Sequence, residues 1–88
     1  MRQADYKVPG GKLIRISADI QDGMIRDIKI TGDFFLHPED AIERLETALR
    51  GALLQGLKPR IEAALAGATI VGASAEDIAH AVEMCTAV

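Results

Sequence analysis

Between Lys12 and Ile20 the sequence alternates. Ile14, Ile16, Ala18 and Ile20 fall on one side of an extended chain, and Arg15, Ser17 and Asp19 on the other. Period-two hydrophobicity commits this stretch to a half-buried strand, because a helix would scatter the same residues around its axis. After Gln21-Asp22-Gly23, the run Met24 to Thr31 sets Met24, Ile28 and Ile30 on one face, so the two runs are expected to pair as a hairpin. Directly opposed residues of an antiparallel pair point the same way. A two-residue Asp22-Gly23 loop would oppose Ile20 to Ile25, Ala18 to Asp27 and Ile16 to Lys29, spoiling the apolar face. A three-residue loop opposes Ile20 to Met24, Ile16 to Ile28 and Ile14 to Ile30. The longer loop is therefore expected, closed by Gly23 in the left-handed region as a bulge. Tyr6-Lys7-Val8 ahead of Pro9-Gly10-Gly11 reads as a short third strand entering through a tight turn.

The remainder has helical spacing. His37-Pro38-Glu39-Asp40 reads as a helix start, followed by Ile42, Leu45, Leu49 and Leu53, with Gly51 as a stop or kink. A second helix is expected from Pro59 through Ile61, Ala64 and Leu65 to Gly67. A third opens at Ser74, with Asp77 three residues on resembling a capping box, and buries Ile78, Val82 and Cys85. Residues 68–73 are an apolar connector of unassigned state. The expected fold class is α+β: a small antiparallel meander of two to three strands with about three helices packed on one face. At 88 residues the chain is expected to form a single domain, 1–88, with one core.

Composition narrows the function. A net charge of -3 and only three aromatics, Tyr6, Phe34 and Phe35, argue against nucleic acid, which needs a basic surface and stacking platforms. Cys85 is the only cysteine and there are two histidines, too few for a Cys-rich zinc or cluster site. A reducing cytoplasm fits best, and no membrane partner is expected, since no apolar run approaches membrane-span length and no signal-peptide core follows Met1. No nucleophile-base pair, HExxH or Walker-type loop is present, so no catalytic, cofactor-binding or metal-binding residue is expected.

Arg15 and Lys29 are expected opposite each other on the sheet's outer face, compensated by Asp19 and Asp27. Such a charged face is ordinarily just solvated; the other reading is a surface for an anion or an acidic partner. His80 falls away from its helix's apolar stripe, and Cys85 lies on it as a small core residue. In Gly32-Asp33-Phe34-Phe35, Gly32 permits an unusual backbone angle and Asp33 bonds nearby amides. Consecutive phenylalanines in extended chain point to opposite sides, so one should fill the core and the other be exposed as an interface anchor.

Pro9-Gly10-Gly11-Lys12-Leu13, Asp22-Gly23-Met24-Ile25 and Ile30-Thr31-Gly32-Asp33-Phe34-Phe35, taken in order, resemble the C-terminal domain of bacterial lipoate-protein ligases. The pattern is most similar to the archaeal form, in which that domain is a separate small polypeptide, as the start at Met1 would suit. The resemblance implies a non-catalytic accessory subunit. Its large catalytic subunit would bind ATP, magnesium and lipoate, form lipoyl-adenylate, and lipoylate a lysine of an acceptor domain. It also implies that Lys12, Gly32, Asp33, Phe34 and Phe35 bear on partner binding. An iron-sulfur scaffold or sulfur acceptor is the alternative of a different class, and it requires several thiolates or one exposed reactive cysteine. A self-associating scaffold without a ligase partner is a third.

Overall fold

The computed structural model describes residues 2–86. The elements run β1 (Arg2–Lys7), β2 (Leu13–Gln21), β3 (Met24–Gly32), β4 (Phe35–His37), α1 (Ala41–Leu49), α2 (Leu57–Ala64), β5 (Thr69–Val71) and α3 (Ala75–Thr86). β1, β2 and β3 form an antiparallel sheet with β2 in the middle, and β4 pairs with β5 in a separate two-stranded ribbon. Helix α3 packs on β1 and β2, α1 packs on β3, and α2 touches both helices. The α+β architecture read from the sequence is what the molecule has.

The alternating isoleucines explain this layering. Ile14, Ile16, Ile25 and Ile28 on the sheet, Leu45 and Leu49 on α1, Ile61 on α2, and Ile78 and Val82 on α3 are almost completely buried in one apolar cluster. Burying a side chain of this size contributes roughly 1.5–3 kcal/mol. The four ion pairs among the described residues all lie in solvent, where water screens them, so burial dominates.

The hairpin departs from expectation. Its loop is Asp22 and Gly23 alone, with φ of 54° and 73°, and Gln21 opposes Met24. Two successive positive angles mark a type I′ turn, whose twist suits a tight hairpin. Ile20 then opposes Ile25, after which the register shifts and Asp19 opposes Asp27. Arg26 is the additional residue of a β-bulge, and beyond it Ala18 opposes Ile28 and Ile16 opposes Ile30. A three-residue loop was needed only on the assumption of an unbroken ladder; the bulge restores the apolar face instead. Ile25 is consequently buried, while Met24 is exposed. Because Gly23 sits in the left-handed region, Gly23→Val should destabilise the chain by ~1 kcal/mol or more. An unchanged urea midpoint would contradict that assignment.

The bulge also dissolves the expected Arg15–Lys29 pair. Arg15 opposes Thr31 on one side and Asp5 on the other, and Lys29 opposes Ser17. The Arg15 guanidinium donates to both Asp5 carboxylate oxygens, at 2.9 and 3.2 Å. Asp27 is taken by Arg50 at 2.9 Å. The third strand is longer than Tyr6-Lys7-Val8 suggested, because Arg2 to Lys7 all find partners along β2.

Helix α1 starts at Ala41, later than the His37-Pro38-Glu39-Asp40 signal placed it. His37 ends β4, and the Ala41 N–H closes a turn on the Pro38 carbonyl at 2.9 Å. Leu53 lies beyond α1 and is exposed, since the chain turns away at Gly51 to run beside the start of β3. There the Ile25 N–H donates to Ala52 O at 2.9 Å, and the Leu54 N–H to Gly23 O at 3.0 Å. Further along, the Ile30 N–H donates to a Glu46 carboxylate oxygen of α1 at 2.7 Å. α2 begins two residues before Pro59, which its first turn tolerates. The capping box of α3 is formed: the Ser74 hydroxyl accepts from the Asp77 N–H, and the Asp77 carboxylate accepts from the Ser74 N–H. The unassigned connector 68–73 contains β5.

Candidate functional site

The end of β3 and the beginning of β2 meet at Ile14 opposite Gly32. One residue further, Asp33 takes over from the strand ladder. Its N–H donates to the Leu13 carbonyl at 3.2 Å, and its Oδ1 accepts from the Leu13 N–H at 2.6 Å. A single carboxylate therefore closes the sheet and joins the two motif segments, as its expected bonding to nearby amides requires.

Gly32 has a different reason for being glycine than the one expected. Its φ is not positive. Space is the constraint: a Cβ there would collide with the Leu13 carbonyl oxygen and approach the Phe34 ring to 2.8 Å. Phe34 lies across this glycine, half-buried against the core. Phe35 points the other way and is 69% exposed, so the two rings do diverge.

The β4–β5 ribbon gives Phe35 a neighbour the sequence did not reveal. Phe35 opposes Val71, Leu36 opposes Ile70, and His37 opposes Thr69. Leu36 and Ile70 turn inward onto the core, leaving Phe35 and Val71 side by side in solvent, the latter 60% exposed. Gly72 follows, and the Lys12 side chain lies over it: a Cβ on Gly72 would fall 2.8 Å from Lys12 Cγ. The structure thus brings Lys12, Gly32, Asp33, Phe34 and Phe35 together at one end of the molecule and adds Val71 and Gly72. Only Gly72, as a glycine just after a short β-branched run, left a trace in the sequence. Between the end of β3 and α1 lies a hollow of about 290 Å³, walled by Ile30, Phe34, Phe35, Leu36 and Ile42, with Glu39 as its only charged lining residue among the described residues.

The remaining candidates lie elsewhere. The His80 side chain is exposed, its ring centroid 4.6 Å from that of Tyr6. Cys85 is 4% exposed, and burial pushes its thiol pKa up. Iodoacetamide should modify Cys85 at least about tenfold more slowly in the folded chain than in denaturant, since reagent reaches it only through local opening. Equal rates would mean that the thiol is accessible. Among the described residues no three His, Cys, Asp or Glu side chains gather as metal ligands, and no helix is long and apolar enough to cross a membrane.

The family described as the bacterial lipoate protein ligase C-terminus matches residues 2–82. The chain belongs to this family. The chain is also 46% identical over 55 residues to lipoate-protein ligase A subunit 2 of Thermoplasma acidophilum, an alignment covering 62% of this chain and 57% of that protein. A solved chain from an archaeal lipoylation system, a bi-partite lipoate protein ligase and its E2 lipoyl domain from Thermoplasma acidophilum, superposes with a TM-score of 0.84. That match is 36% identical and covers 91% of each chain. Within the family's fold, the clustered motif offers an apolar projection and a hollow, features that suit contact with a protein surface.

Proposed function

We propose that residues 1–88 act as one accessory domain, the small subunit of a two-part lipoate-protein ligase. The large subunit carries the chemistry, binding ATP, magnesium and lipoate, forming lipoyl-adenylate and transferring the lipoyl group to a lysine of an acceptor domain in the cytoplasm. The observation that carries this reading is the likeness, over nearly the whole chain, to a chain of a bi-partite ligase. The site agrees with it. Lys12, Gly32, Asp33, Phe34 and Phe35 form a partner-binding end, in which Asp33 fixes the junction, Gly32 and Phe34 set the ribbon's direction, and Phe35 projects outward. A sulfur acceptor would need an exposed thiolate, whereas Cys85 is buried in the core.

The test is reconstitution. The chain, a candidate large subunit, or both are incubated with ATP, magnesium and lipoate, and lipoyl-adenylate is measured. Adenylate is expected from the pair and not from this chain alone. Formation by the isolated chain, or no stimulation of the large subunit, would overturn the assignment.

A further inference from the structure

We propose that the hollow beside Phe35 receives an apolar side chain of the large subunit, with a Lys or Arg of that subunit pairing with Glu39. The inference rests on the accessory-subunit reading above. Ile30, Phe34, Leu36 and Ile42 make the hollow apolar, and its volume of about 290 Å³ lies just below the range of small-molecule pockets. Open to solvent at the surface, it suits a protruding side chain better than an enclosed cofactor.

Charge selects the partner's chemistry. Glu39 enters none of the ion pairs among the described residues, whereas Asp40 beside it is paired with Arg44 at 3.4 Å. Glu43, in the first turn of α1, lines a separate recess with Asp40 and Arg44, so the charge facing this hollow is that of Glu39. Covering the hollow with a neutral or acidic surface would strip water from Glu39 without replacing it. A basic group next to the inserted side chain compensates that loss and steers encounter. Phe35, forming one wall of the hollow and projecting from it, would enter the partner alongside, so projection and recess make one continuous contact.

The experiment measures Kd between the complete chain and the large subunit at low and high salt, for the parent, Glu39→Arg, Glu39→Gln and Ile42→Trp, with melting curves for each. Glu39→Arg should weaken binding at low salt by at least about tenfold and flatten its salt dependence, with Glu39→Gln in between. Ile42→Trp fills the hollow and should weaken binding at both salt concentrations; if it fails to fold, the exposed Glu39 variants still decide. Parent-like affinity and salt dependence in Glu39→Arg, while the parent still binds and stimulates adenylation, overturns the inference and leaves the accessory-subunit reading intact. A parent chain that neither binds nor stimulates overturns both. A dimer of this chain alone that Ile42→Trp disrupts would assign the hollow to a second copy and likewise overturn it.

Discussion

Phe35→Ala should leave the melting temperature close to that of the parent while weakening association with the proposed large subunit by about 2 kcal/mol or more, roughly thirtyfold in Kd. The ring is 69% exposed, so little folding energy depends on it. A Phe has only two side-chain torsions to fix on binding, and aromatic anchors of this kind dominate interface energetics. Titration calorimetry with the large subunit, with the stability of both forms measured in parallel, separates the two effects. A variant that binds and stimulates adenylation like the parent would show that the motif serves the fold alone.

Gly32→Val should be a folding variant, costing about 3 kcal/mol or more, at the upper end of what overpacking does. A Cβ at this position collides with the Leu13 carbonyl. That carbonyl cannot retreat, because it accepts from the Asp33 N–H while the Leu13 N–H donates to the Asp33 carboxylate. On the other side stands the Phe34 ring, whose displacement would uncover the core. Against a total stability of typically ~5–15 kcal/mol, such a loss leaves a marginal protein. Urea denaturation followed by circular dichroism measures it, and a midpoint equal to the parent's would mean that the junction relaxes freely.

The elements that sequence revealed well are those whose signal is local and repeated. The isoleucines of β2 have no alternative to a half-buried strand, and the Ser74–Asp77 box marks its helix within four residues. The bulge at Arg26 was hidden because register arguments count residues along an unbroken ladder, and nothing about an exposed arginine announces that it is skipped. The ribbon was hidden for another reason. Three residues are too few to establish alternation, and Phe35 to His37 find their partners only in Thr69 to Val71, across two intervening helices. The candidate site was therefore legible by half. The Gly32 to Phe35 motif and its opposed rings were visible, whereas Val71 and Gly72 join only through that long-range pairing.

Under the proposed function, the bonds along β3 bear on the chain's life before it meets a large subunit. A subunit that meets its partner by diffusion spends part of its existence alone, and any imbalance in synthesis lengthens that wait. An unpaired strand edge then invites another molecule's strand, the first step toward insoluble aggregates. On β3 the Ile25 and Ile30 amides are already occupied by the Ala52 carbonyl and the Glu46 carboxylate. The opposite edge of the sheet, β1, carries Arg2, Asp5 and Lys7, charges that discourage stacking of strands. Occupied amides on one edge and charges on the other disfavour strand pairing between copies, a property that a subunit made in excess of its proposed partner would need.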